Sequence, residues 1–200
     1  MSAAASVDGR EPGEVIRTPR LELVLMSVPF MEALQRHDLA AASRELGADT
    51  PMWMANELQD FLNYRLGQLR ENPLVHEWLG RALVFTEADG SRHAVGSLGF
   101  HGAPDAQGRL EVGYSVDPPY RRRGFALEAV RALFDWAHAR YGTTRFIASV
   151  GPWNQPSLNL IAQLGFHKIG EQMDDIDGLE YVFETEWPRP ASEGHAEGSA

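Results

Sequence analysis

The chain has 200 residues, of which 44% are hydrophobic and 23% are charged, so it is neither wholly disordered nor too short to bury a core. It contains no cysteine, which excludes disulfides, thiolate metal ligands and a cysteine nucleophile within this chain. Its formal net charge is −10, and such a chain repels nucleic acid unless its basic residues cluster.

The domain organisation follows from where apolar periodicity starts and stops. Residues 1–15 and 188–200 are small, polar and interrupted by glycine and proline, so both segments are predicted to be disordered. Residues 16–187 are expected to form one domain. No stretch approaches the ~20 apolar residues of a membrane-spanning helix, and the N-terminus lacks a signal-peptide pattern, so we expect a cytoplasmic protein.

The first third of the chain predicts one strand and two helices. Residues 20–26 begin with alternating apolar and polar side chains, which is typical of a strand. The first helix begins at Pro29, and the second is capped by Asn56 and ends before Pro73. Residues 47–53 between these helices are predicted to be irregular.

The rest of the chain alternates further strands with helices. The pattern is that of a mixed α/β sheet with helices on its faces. The predicted strands cover residues 81–86, 93–100, 110–117, 145–150, 166–173 and 179–187, and the predicted helices cover residues 126–141 and 156–164.

A basic, glycine-containing segment links the strand over 110–117 to the next helix. Arg121, Arg122 and Arg123 are followed by Gly124 and then by the small Ala126, so a ligand can approach the backbone closely. Arginines at a helix N-terminus are what a pyrophosphate needs, although solvated arginines and a simple turn are the alternative. The P-loop and dinucleotide-binding patterns are absent, and three arginines are a small footprint for nucleic acid.

Two segments resemble the GNAT superfamily of N-acetyltransferases. LEVGYSVDPPYRRRGFALEAVRALFDWA resembles the acyl-CoA-binding segment, whose Arg/Gln-x-x-Gly-x-Gly/Ala signature matches Arg121, Gly124 and Ala126. NQPSLNLIAQLGFHKIG resembles the superfamily's Asn-x-x-Ser helix and Leu-Gly-Phe motif. IRTPRLELVLM resembles the first strand of the branch that includes RimJ and RimL, the N-terminal acetyltransferases of ribosomal proteins. The resemblance spans about residues 16–187.

The resemblance implies a single-domain fold with a mixed, mostly antiparallel central sheet that splays around an acyl-CoA site, and with helices on both faces. It implies that residues 121–126, hereafter the cradle, hold the pyrophosphate of acetyl-CoA through backbone N–H groups. Asn154 would bind the pantetheine amides, or else only form a turn before Pro156. The predicted cofactor-binding residues are Tyr114, Ser115, Val116, Arg121, Arg122, Arg123, Gly124, Phe125, Ala126, Asn154 and Ser157.

The reaction implied is direct acetyl transfer from acetyl-CoA to a primary amine, which could be a protein N-terminus, a small amine or an antibiotic. The amine must lose a proton, and the resemblance places Glu111 as the base that receives it through water. A solvated or ion-paired strand glutamate is the alternative. Acidic residues of the last hairpin are further candidates for the base or for amine contacts: Glu171, Asp174, Asp175 and Glu180.

The departing thiolate needs a hydrogen-bond donor. Many GNAT enzymes use a tyrosine four residues before the glycine of Leu-Gly-Phe, but this chain has Ile161 there, which cannot donate. The RimJ/RimL branch has a serine earlier on this helix, which corresponds to Ser157. A hydroxyl that satisfies N–H groups at the helix start is the alternative role for Ser157.

The resemblance also suggests acceptor contacts at Trp53, His101 and Glu171. No metal is expected, because no His/Asp/Glu cluster has metal-ligand spacing. We expect no nucleic-acid or membrane partner, and a homodimer is compatible with the pattern. Two other functions stay open: a transferase that uses a bulkier donor such as succinyl-CoA, and a non-catalytic acyl-CoA-binding module.

Overall fold

A sheet of eight strands organises the computed structural model, which describes residues 15–174 and 178–188. The terminal segments predicted to be disordered, 1–15 and 188–200, lie almost entirely outside these residues. The strands in chain order are β1 (Ile16–Arg17), β2 (Leu21–Leu25), β3 (Arg81–Thr86), β4 (Arg92–Phe100), β5 (Arg109–Val116), β6 (Arg145–Val150), β7 (His167–Asp174) and β8 (Gly178–Glu186). The strands predicted from the sequence are all present, and β1 is an addition to them.

Helices occupy three of the connections between strands. Among the described helices, none combines the length and apolar character required to cross a bilayer. Short 3₁₀ turns cover Pro73–Trp78 and Pro118–Tyr120. The α-helices are α1 (Val28–Gln35), α2 (Leu39–Leu46), α3 (Met52–Glu57), α4 (Gln59–Glu71), α5 (Phe125–Tyr141) and α6 (Gln155–Gln163).

The sheet is mixed and mostly antiparallel, as the sequence predicts. The strand order is β1-β2-β3-β4-β5-β6-β8-β7, and every neighbouring pair is antiparallel except β5 and β6. The parallel pair is short, since Arg109–Glu111 pair only with Arg145–Ile147. Beyond this point the two strands have no registered pair within the described residues, so the sheet opens between them.

Each face of the sheet carries its own apolar cluster, which confirms helices on both faces. On one face α5 buries Phe134, whose ring stacks on that of Phe146 with the centroids 3.8 Å apart. On the other face the first four helices bury side chains such as Phe30 and Leu62. Apolar burial on both faces holds the sheet rigid around its opening.

The region before β3 differs from the prediction of two helices. The first helix ends at Gln35, because the next residues turn sharply and His37 adopts a left-handed φ of 57°. The Asp38 carboxylate then accepts a hydrogen bond from the Ala41 N–H and begins α2, which the sequence analysis missed.

The prediction that Asn56 caps a helix is wrong. Asn56 lies inside α3, and its side-chain oxygen is 3.2 Å from Nε2 of His37. The next helix, α4, begins after Leu58 with no side-chain cap. The prediction of an irregular segment over 47–53 is wrong at its end, because Met52 and Trp53 form the first turn of α3.

Candidate active site

A cleft opens where β5 and β6 stop pairing. On its other side β5 stays paired with β4, from Val112 opposite Phe100 to Val116 opposite Gly96. The β5 edge that faces the cleft can therefore pair with an extended ligand along residues 112–116. The cleft runs from Glu111, at the last β5–β6 pair, towards the cradle beyond the end of β5.

The cradle ends in a helix N-terminus without a side-chain cap. Gly124 is the N-cap of α5 and has a left-handed φ of 80°, which favours glycine. In contrast, the Ser27, Asp38 and Asn154 side chains cap α1, α2 and α6. The first-turn N–H groups of α5 thus have no side-chain acceptor in the described structure, and such groups favour a bound anion.

The three cradle arginines have different surroundings. Arg121 Nε donates a hydrogen bond of 2.8 Å to the carbonyl of Val116 and so ties the cradle to the end of β5. Arg122 has a left-handed φ of 61° and is exposed. The Arg123 guanidinium lies about 5 Å from the centroids of three aromatic rings, those of Phe85, Tyr120 and Phe125. The arginine run therefore combines positive charge with packing.

A brace from the N-terminal strand region supports the cradle from outside. Arg20 donates to the carbonyl of Arg123 at 2.9 Å and from Nε to Glu128 at 2.7 Å. Glu128 also accepts a hydrogen bond from the Thr18 hydroxyl. Partial burial alone would raise the pKa of Glu128, but the hydrogen bonds from Thr18 and Arg20 outweigh it and lower the pKa below 4.5.

At the other end of the cleft, three side chains surround Glu111. Its Oε1 accepts a hydrogen bond of 2.6 Å from the Ser149 hydroxyl, and its Oε2 lies 3.6 Å from Nδ1 of His101. Gln172 donates to Ser149 at 3.1 Å and to Glu180 at 3.0 Å. We call Glu111, Ser149, His101 and Gln172 the apex, since they surround the point where the strands separate.

The charge states around the apex are shaped by burial. Desolvation lowers the pKa of His101 below 6.5, against the opposing effect of Glu111, so the imidazole is mainly neutral at neutral pH. Arg65 of α4 is buried and donates 2.8 Å hydrogen bonds to the carbonyl of His101 and to Gln68. Burial lowers the pKa of Arg65 to about 10, so it keeps its positive charge near Glu111.

A pair of hydroxyl groups connects the two sides of the cleft. The Tyr114 hydroxyl on β5 lies 2.6 Å from Oγ of Ser157, which follows β6 in the first turn of α6. The Ser157 N–H donates to Oδ1 of Asn154 at 3.2 Å. Asn154 therefore supplies the helix cap, and the Ser157 hydroxyl contacts Tyr114 instead of taking the capping role considered above.

Of the remaining predicted acceptor residues, Trp53 and Glu171 lie apart from the apex. Trp53 packs against the apolar cluster that the first four helices form with the sheet. Glu171 pairs with Lys168 at 2.7 Å, and it points to the face of β7 opposite the one from which Gln172 reaches Ser149. Asp174 interacts electrostatically with His101, and Asp175 lies outside the described residues. These roles stay predictions.

Sequence reasoning missed Ser149, Gln172 and Arg65. Ser149 had a signal, because it is a polar residue between the apolar Ala148 and Val150 of a largely buried strand. Arg65 had one too, since it lies at helical spacing from the buried Leu62 and Leu69. Gln172 had none. No group of three or more His, Asp or Glu side chains in the described part of the chain is arranged to hold a metal ion.

The sequence of this chain is similar to those of known acetyltransferases. A family profile described as an acetyltransferase (GNAT) domain matches residues 31–167. The uncharacterized N-acetyltransferase YjdG of Bacillus subtilis (strain 168) is 29% identical over 161 residues, which are 78% of this chain and 94% of that protein.

Solved structures share the fold at low sequence identity. RimJ of Mycobacterium smegmatis, in complex with CoA-disulfide, has a TM-score of 0.58 at 17% identity, over 88% of this chain and 90% of that one. The microcin C7 self-immunity acetyltransferase MccE, in complex with acetyl-CoA and AMP, has a TM-score of 0.57 at 13% identity. That alignment covers 84% of this chain and 93% of MccE.

The brace predicts a pH-dependent contribution of Glu128 to stability. Because its pKa is lowered by folding, the charged form stabilises the fold above the unfolded-state pKa, and this is lost as the pH falls through the folded-state value. Glu128→Gln should lower the free energy of unfolding by about 1–3 kcal/mol near neutral pH, and the difference should shrink at about pH 3. Urea unfolding at both pH values measures it.

The matched control is Glu45→Gln, which changes an exposed glutamate of α2 and should leave stability within about 0.5 kcal/mol. A difference between wild type and Glu128→Gln that stays constant over this pH range would contradict the prediction.

Proposed function

Because this chain belongs to the GNAT acetyltransferase family and is an acetyl-CoA-dependent N-acetyltransferase, we propose that it transfers acetyl directly to a primary amine at the apex. The observation that carries this proposal is the position of Glu111. Its carboxylate lies at the last β5–β6 pair, where the cleft begins, and it is held there by Ser149. A proton acceptor at this place is close to the free edge of β5 that would bind the thioester.

The donor would lie along β5 with its diphosphate in the cradle. The uncapped N–H groups of α5 and the charges of Arg121 and Arg122 fit an anion there. Backbone groups of Tyr114 and Val116 face the opening, whereas those of Ser115 point to β4, and the Val116 carbonyl already accepts from Arg121. Asn154 uses its oxygen to cap α6, which leaves its amide N–H groups to donate to a pantetheine carbonyl.

The acceptor amine must be neutral when it attacks, and its ordinary pKa of about 8 to 10.4 means that it arrives protonated. Glu111 takes a proton from it through water, and the amine lone pair then forms the new C–N bond at the thioester carbonyl. The C–S bond then breaks, the sulfur leaves with the electron pair, and the new amide nitrogen loses its extra proton to solvent. Without a cysteine in the chain to carry the acetyl group, we favour one step in a ternary complex.

Electrostatics at the apex favour a cationic acceptor. The carboxylates of Glu111, Asp174 and Glu180 lie on or beside the same side of the opening, and the chain as a whole carries a net charge of −10. A negative surface attracts cations over a distance and raises their encounter rate. A polyamine, an aminoglycoside and a basic protein N-terminus share this chemistry.

The first test is a panel of these amines with acetyl-CoA, in which released thiol and acetylated product are both measured. Cationic primary amines should be acetylated with one thiol released per product, and acetyl-CoA should be used faster than succinyl-CoA. Binding of acetyl-CoA by calorimetry without turnover of any amine would instead indicate a non-catalytic module.

The second test places a side chain and a negative charge in the cradle. Gly124→Glu should raise the Kd for CoA at least about tenfold, because a Cβ at this left-handed residue would lie 3.4 Å from Arg20 and the carboxylate would repel a diphosphate. Calorimetry measures the Kd. Gly90→Glu, at a left-handed glycine in open space, is the matched control and should bind CoA normally. Unchanged affinity in Gly124→Glu would argue against the cradle.

The third test addresses the base. Glu111→Gln should lower kcat about 100-fold, while the KM for acetyl-CoA changes less than about twofold, because the amide cannot accept the proton. Glu186→Gln removes an exposed strand glutamate and serves as the control. If Glu111→Gln retains activity while Glu180→Gln loses it, the base belongs to the last hairpin and the assignment of Glu111 is wrong.

A further inference from the structure

We propose that Tyr114 is a positioning residue for the leaving group: its phenol donates a hydrogen bond to Ser157 Oγ and thereby directs the serine hydroxyl hydrogen to the departing sulfur of CoA. The inference rests on the proposed function, in which the thioester lies along β5. It assigns a task to the side chain of Tyr114, whose backbone alone enters the donor-binding scheme above.

The direction of the hydrogen bond follows from the chemistry of the two groups. The hydroxyl oxygens are 2.6 Å apart, which is a short contact for an O–H···O hydrogen bond. A phenol is a far stronger acid than an aliphatic alcohol, so Tyr114 is the better donor and Ser157 the better acceptor. Each hydroxyl has one hydrogen, and the one on Ser157 is then free to point elsewhere.

Local structure leaves the Ser157 hydroxyl available for this role. A serine in the first turn of a helix often uses its oxygen to cap backbone N–H groups. Here the cap comes from Asn154, whose Oδ1 accepts from the N–H of Ser157 itself. The hydroxyl is therefore not needed to begin α6, and its described partner is Tyr114.

The position of the Tyr114–Ser157 pair in the fold also suits this role. Tyr114 is on β5 beyond the last β5–β6 pair, and Ser157 follows β6 at the start of α6, so their contact spans the opening of the sheet. The Tyr114 side chain packs against the apolar cluster formed with α5 and α6. Desolvation raises the pKa of Tyr114 above 10, although the hydrogen bond with Ser157 opposes this, so the phenol stays protonated at neutral pH.

The contribution to the reaction is a hydrogen bond rather than a proton transfer. When the C–S bond breaks, the electron pair goes to sulfur and the thiolate accepts the hydrogen bond from Ser157. A thiolate with an ordinary conjugate-acid pKa of about 8.5 is a weaker base than a phenolate, so both hydroxyl groups keep their protons and solvent protonates the thiolate. The chain of two hydrogen bonds stabilises the charge as it develops.

A double-mutant cycle with Tyr114→Phe and Ser157→Ala tests the inference. Tyr114→Phe should lower kcat about tenfold, with the KM for acetyl-CoA and the free energy of unfolding nearly unchanged. Ser157→Ala should lower kcat at least as much. The double variant should be no slower than Ser157→Ala, because Tyr114 acts only through the serine. A structural role of Tyr114 would not produce this coupling.

Two further variants serve as controls. Ser157→Thr keeps the hydroxyl and should preserve both activity and its dependence on Tyr114. Tyr64→Phe removes an exposed phenol of α4 and is the matched control.

The outcomes separate this inference from the proposed function. Wild-type kcat in Tyr114→Phe, or losses that multiply in the double variant, would overturn the role of Tyr114 while amine acetylation still stands. A wild-type protein that acetylates no amine would overturn both.

Discussion

The parallel pairing between β5 and β6 ends after three residues, and the functional end of the molecule depends on this interruption. A sheet that continued to pair would satisfy the β5 edge with hydrogen bonds to β6. Because the strands separate, one backbone edge becomes available to an extended ligand. The last paired residue, Glu111, then stands at the closed end of the opening, where two apolar clusters keep the surrounding sheet rigid.

The cradle holds positive charge in an acidic chain, although Asp117 interacts electrostatically with Arg121. Glu128 accepts from Arg20 and Thr18 rather than from the cradle arginines. Arg123 packs on aromatic rings, which hold a guanidinium without neutralising it. The positive charge at the N-terminus of α5 is thus retained, and the segment between β1 and β2 stabilises the cradle, whose residues come about a hundred positions later.

Local sequence patterns predicted what is local in this structure. Alternating residues predicted the strands and placed Glu111 on the face opposite Leu110, and the basic glycine-containing segment predicted the cradle. The contacts of Glu111 with Ser149 and of Tyr114 with Ser157 join residues 38 and 43 positions apart, so they depend on how the strands diverge. The periodicity of a sequence does not indicate which residues far apart in the chain come into contact. The sequence predicted two helices before β3 where the structure has four, for a related reason: turns such as the one at His37 divide the helices although their side chains bury in one apolar cluster.

The contact between Gln172 and Ser149 has a consequence for how such a protein can diversify. In the proposed function, β5, α5 and α6 bind the donor, whereas the β7–β8 hairpin reaches the apex through this amide, Glu180 and Asp174. The hairpin lies at the edge of the sheet, so substitutions in β7 and β8 need not disturb β5, α5 and α6. Substrate preference can thus change through substitutions in this hairpin, while the residues of β5, α5 and α6 stay the same.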